Sequence, residues 1–100
     1  MSREIEEMMV SEVITENPAA AAAHAALRSA GLSEQEARAE IATILAYHAK
    51  RIVAAGRAPV DQRVRRIRSE EYGRNLASML ERLARGERAR DIIPTEKRNP

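Results

Sequence analysis

His24 and His48 are the two histidines of this 100-residue chain, and with Glu36 or Glu40 as a carboxylate partner they are the candidates for a metal ion or for proton transfer. Zinc-type sites draw imidazole nitrogens and carboxylate oxygens from neighbouring helices, so a metal-dependent activity around His24, His48 and Glu40 is one reading of the sequence. Its spacing is unfavourable. There is no H-E-x-x-H or H-x-x-x-H pair, and Glu40 and His48 stand eight residues apart, more than two helical turns. A lone histidine on an apolar face more often completes a packed core or an interface, and these three residues read first as a polar site without metal. Nucleophilic catalysis has less to build on. The chain has no cysteine and no G-x-S-x-G, and its four glycines fall where helices should stop or bend. The expectation is a chain without catalytic residues, cofactor or bound metal.

Anion binding is the next chemistry the residues allow. "RAPVDQRVRRIR", from Arg57 to Arg68, holds Arg57, Arg63, Arg65, Arg66 and Arg68 within twelve residues. A nucleic-acid-binding protein would set such a cluster on phosphates. No aromatic residues interleave with the arginines, as single-strand binding favours, and Asp61, Glu70 and Glu71 neutralise part of the patch. Pairing with a protein, at Arg63, Arg65, Arg66 and Arg68, is the favoured use, and nucleic acid the alternative. Met8 and Met9 offer a second contact surface, because methionine repacks readily, although filling gaps in a core is the commoner role.

These residues need a scaffold, and the sequence specifies helices. Ala, Arg, Glu and Leu dominate, and β-rich runs are missing. A first helix spans about Arg3 to Thr15, with Ser2 as its cap and Ile5, Met8, Met9 and Val13 as its apolar stripe, which Val10 and Ile14 widen. A second follows in "ENPAAAAAHAALRSAG": Asn17 caps it, Pro18 takes the first helical position and Gly31 stops it. Ser33 and Glu36 form an S-x-x-E capping box opening a long helix, about Ser33–Ala55. Ala37, Ile41, Ile44, Leu45, His48 and Ile52 share one face of it, and Gly56 closes it. A short helix or ordered turn is expected between Pro59 and Arg68. The last strong helix then runs from Glu70 to Arg85, with Ser69 as its cap and Gly86 as its stop. Ile92 and Ile93 are expected to dock on the body. The resulting architecture is an all-α bundle of four to five helices around a long central helix, with residues 1–93 as one domain and 94–100 as a flexible tail.

Composition adds two constraints. There is no Phe or Trp, only Tyr47 and Tyr72, and alanine supplies much of the apolar content, so the core is thin at about 25 cal/mol per Å² buried. A thin core gains stability by pairing with a second copy. Charge is also lopsided: residues 1–50 carry four Lys/Arg against eight Asp/Glu, and residues 51–100 carry thirteen against seven. A dipolar chain suits self-association, and a homodimer is expected. The acidic, amphipathic N-terminus lacks the order of a signal peptide, and no apolar run approaches a membrane span, so a cytoplasmic location without membrane contact is the expectation.

The order of motifs resembles a group of small, uncharacterised bacterial all-helical proteins of the domain-of-unknown-function type. The likeness rests on His24, on Gly31, Leu32, Ser33, Glu36 and Ala37 at the turn, on Ile41, Leu45 and His48 in the long helix, and on Tyr72, Leu76 and Leu80. It covers the chain from Asn17 to Gly86 and implies the helical fold. The group's turn often carries histidines beside the glutamate; Gln35, Arg38 and Ala39 stand there in this chain, which removes what a metal site would use. The resemblance implies no activity; the residues themselves favour a protein-interaction or regulatory module without catalysis.

Overall fold

Asn17 alone separates the first two helices, and it serves both. Its backbone N–H donates to the Val13 carbonyl at 2.8 Å, closing α1 (Arg3–Glu16). Its side-chain oxygen accepts from the N–H groups of Ala19 and Ala20, opening α2 (Pro18–Ser29). In a computed structural model, the backbone of residues 3–56 and 62–94 is described, and within it the side chains of residues 8–53, 63 and 69–94. Three further helices follow: α3 (Glu34–Gly56), α4 (Gln62–Ala84) and the single turn α5 (Ala89–Ile92). No strand occurs among the described residues.

The helix stops follow glycine chemistry. Gly31 adopts φ +104°, its N–H donates to Arg28, and Leu32 N–H reaches back to the Leu27 carbonyl at 3.1 Å. This is a Schellman motif, which only a residue tolerant of positive φ completes without strain. Gly86, at φ +106°, ends α4 in the same way, with Glu87 N–H on the Arg82 carbonyl. There the Arg82 guanidinium also clasps the Glu87 carboxylate, through Nη2 at 2.6 Å and Nε at 2.9 Å. That pair raises the pKa of Arg82 and lowers that of Glu87. The expected capping box at α3 is present and reciprocal: Glu36 N–H donates to Ser33 Oγ at 3.0 Å and Ser33 N–H to the Glu36 carboxylate at 2.8 Å. The Ser33 N–H, chiefly, holds the Glu36 carboxyl below its usual pKa.

Packing directions can be read from the contacts. Tyr72, early in α4, meets His48 and Arg51, late in α3, whereas Glu40, early in α3, meets Ala89, beyond the end of α4. α3 and α4 are therefore antiparallel. One groove joins Pro18 to Leu76 and another joins Leu27 to Leu83, so α2 runs in the same direction as α4. α3 touches each of the other four helices, which makes it the long central helix, but the most extensive pairing is α2 on α4. Alanine explains it. Ala20, Ala23 and Leu27, spaced three and four apart, form the buried stripe of α2, and small side chains let α4 come close with Met79, Leu80 and Leu83. From α3, Ala37, Ile41 and Ile44 complete the core; Val10 of α1 and Ala89 and Ile92 of α5 close it, with Ile93 packed against the edge as expected.

Three expectations need correction. α4 is one continuous helix of 23 residues, so Ser69 sits exposed in its interior and caps nothing. Arginine and glutamate on both sides of Ser69 favour helix, and a single internal serine costs too little to stop it. Met8 and Met9 lie outside the core, at 70% and 48% exposure; among the described residues of α1 Val10 is the buried one, with Val13 and Ile14 at the edge. Ile52 belongs to the right helical face but is 45% exposed, since α2 has only twelve residues and begins level with Leu76, short of the end of α3. The expected tail from 95 to 100 lies outside the described residues. The radius of gyration, 14.5 Å, exceeds the roughly 13 Å usual for 100 residues, consistent with helices that overhang their partners.

Candidate functional site

The polar residues singled out by chemistry each have a separate partner. His24 Nε2 lies 2.9 Å from Oε1 of Glu34, the first residue of α3. Glu34 also attracts Arg28 Nε at 3.7 Å and Arg38 Nη1 at 3.6 Å, becoming the hub of a surface cluster that ties α2 to α3. Arg38 reaches onward to Ser11 Oγ on α1. Glu40 serves backbone rather than metal: its Oε1 accepts the Ala89 N–H at 2.7 Å and caps α5 from 49 residues away. Arg88, the residue at the cap position, makes no side-chain cap bond of its own. We expect Glu40→Ala to cost about 0.5–2 kcal/mol, as loss of a cap does, with faster amide exchange at Ile92. Unchanged exchange there would show that α5 is held by its apolar contacts alone. Among the described residues no group of three His, Asp or Glu side chains is placed to hold a metal ion.

His48 is the one polar side chain in the described core, 9% exposed. Its ring meets Tyr72 edge-on, at 5.9 Å between centroids and 86° between planes. Arg51, one turn further along α3, places its guanidinium over two rings, 5.8 Å from Tyr47 and 5.5 Å from Tyr72. Both tyrosines and one of the two histidines thus gather around a single arginine, a cation–π arrangement that stitches α3 to α4. Burial first, and then the Arg51 charge, lower the pKa of His48 from its ordinary 6.5. Folding then favours the neutral ring, so the stability it allows is complete above pH 6.5 and declines as pH falls below that value. We expect wild-type protein to lose stability between pH 6.5 and 5 more steeply than His48→Leu; parallel curves would show that His48 titrates alike in both states.

The arginine run is described in part. Arg63 is exposed at the start of α4, while the side chains of Arg65, Arg66 and Arg68 lie outside the described residues, as does Arg57. Antiparallel packing brings the end of α3, with exposed Lys50 and Arg51, alongside the first half of α4. Ile52 and Val53, 45% and 55% exposed, share that end. Sequence reasoning missed Arg51; its i, i+4 spacing from Tyr47 was the available signal. The expectation for Ile52 placed it in the core, and Val53 had no periodic signal.

Two surface grooves lie among the described residues. One, of about 410 Å³, lies among Glu12, Val13, Glu16, Asn17, Pro18 and Leu76. The other, of about 300 Å³, has Leu27, Leu32 and Leu83 as its floor and Arg85 and Arg88 at its rim. Neither contains a histidine or brings an acid and a base together over it. Among the described residues no helix is long and apolar enough to cross a membrane. No family model, no curated protein and no solved structure matches the chain.

Proposed function

We propose that this chain is a protein-interaction module that works without catalysis and pairs with a second copy of itself. The observation that carries this reading is the exposure of Met8, Met9, Ile52 and Val53, four large apolar side chains on a protein whose core is otherwise small. Left in water they forgo burial worth about 25 cal/mol per Å², which a partner surface supplies. Sedimentation or light scattering over a concentration series tests it. Mass should rise towards twice the monomer value at micromolar concentration, and a strict monomer at high micromolar concentration overturns self-association.

A second reading, anion or nucleic-acid binding, is supported by exposed Arg63 within the Arg57–Arg68 run and by exposed Lys50 and Arg51 at the end of α3. It requires a gel shift with DNA or RNA that weakens as salt rises. Absence of a shift at low ionic strength removes it.

A further inference from the structure

The two exposed apolar pairs lie in segments of opposite charge, and the long central helix relates them. α1 carries five glutamates and one arginine. Residues 49–75, which span the end of α3 and the start of α4, carry eight Lys/Arg against three Asp/Glu. Arg38 on α3 marks the side that α1 covers, through its bond to Ser11. At 100° per residue, Leu45, Ile52 and Val53 lie within about 60° of the Arg38 direction. Leu45 is half-buried, whereas Ile52 and Val53 are exposed. α1 is thus tied to this side of α3 at Arg38, near its start, while Ile52 and Val53 in its later turns are exposed.

Distance sets the rest. Ile52 stands 14 residues beyond Arg38, about 21 Å along the helix axis, while Met8 and Met9 precede Ser11 on α1. The acidic apolar patch therefore lies towards one end of the molecule and the basic apolar patch towards the other. We infer that two copies dock reciprocally about a two-fold axis, the Met8/Met9 face of α1 in each seating on the Ile52/Val53 face of its partner. The occupant of the exposed Ile52/Val53 face is a second α1, the same acidic kind of helix that meets α3 at Arg38. A two-fold interface that joins one patch to a different one is made twice, so each dimer contains two such contacts. Apolar residues at both patches favour a protein partner over a phosphate backbone, and opposite charge favours this particular pairing over the Ile52/Val53 face against itself or α1 against α1.

The inference rests on the self-association reading, and variants at exposed positions test the two separately. Met8→Asp/Met9→Asp and Ile52→Asp/Val53→Asp should each leave the helical circular-dichroism signal and melting of the monomer intact and weaken dimerisation at least tenfold. Mixing the two variants is the decisive measurement. Each retains the surface the other has lost, so the mixture regains one of the two contacts and forms a heterodimer tighter than either homodimer. Raised salt should weaken the wild-type dimer as well. A dimer indifferent to both double substitutions, or a mixture no tighter than its components, overturns reciprocal docking while leaving self-association standing. A wild-type chain that stays monomeric overturns both.

Discussion

Ile41→Ala should lower the free energy of unfolding by about 2–5 kcal/mol, the range for removing a large side chain from a packed interior. Ile41 is wholly buried, with Ile44, Leu80 and Leu83 as the other large side chains enclosed to the same degree. So few large residues carry this core that alanine at any of them leaves a void its small neighbours cannot fill. Against a total stability of about 5–15 kcal/mol for an ordinary domain, one such change removes a sizeable share. Urea or thermal unfolding gives the value directly. Leu45→Ala, on the same helix but half-buried, should cost distinctly less. A loss below about 0.5 kcal/mol at Ile41 would place it on the surface and refute the packing described here.

Ala23→Leu is the second large effect, and it destabilises by adding bulk rather than removing it. Ala20 and Ala23 are wholly buried where α2 lies on α4. Their value is in what they lack: added methylenes would force the helices apart or drive neighbouring side chains off their rotamers. That costs about 1–3 kcal/mol, even though leucine is nearly as good a helix former as alanine. Ala22→Leu, one residue away and exposed, supplies the control and should change stability by less than about 0.5 kcal/mol. Equal stability for the two variants would mean that α2 and α4 are separated by more than alanine contact. Helix propensity cannot explain a difference between adjacent alanines, so the comparison isolates packing.

How far sequence reaches into this fold depends on the range of the interaction. Asn17, Pro18, Gly31, the Ser33–Glu36 box and Gly86 act within a few residues, and each end they specify is where the chain turns. The stripe Ala37–Ile41–Ile44–His48 is likewise local, because the period of a helix decides which residues share a face. Periodicity does not reveal how far the neighbouring helix extends. Ile52 continues the stripe beyond the reach of α2, and Met8 fits a spacing that α1 does not bury. Ser69 looked like a cap because its type is right, but capping also needs a chain that leaves the helix there. For the candidate site the limit was severer. Glu34 binding His24, Glu40 capping Ala89 and Tyr72 joining His48 and Arg51 are contacts between elements, which no spacing within one element encodes.

The dependence of α2 on α4 also has a bearing on the order in which the chain acquires structure. Between Ser29 and Gln62 lie the turn, all of α3 and the following loop, so the principal partner of α2 is synthesised long after it. α1 and α2, joined through Asn17, are local and quick to meet, but the alanine stripe between Ala20 and Leu27 lacks its most extensive partner until Leu80 and Leu83 arrive. Closing that loop carries an entropic cost before any contact repays it. The alanine helix is therefore early to coil and late to dock. A ribosome-bound chain that ends before Leu76 would hold its helices without their core, and cooperative folding should begin only as the last third of the protein emerges.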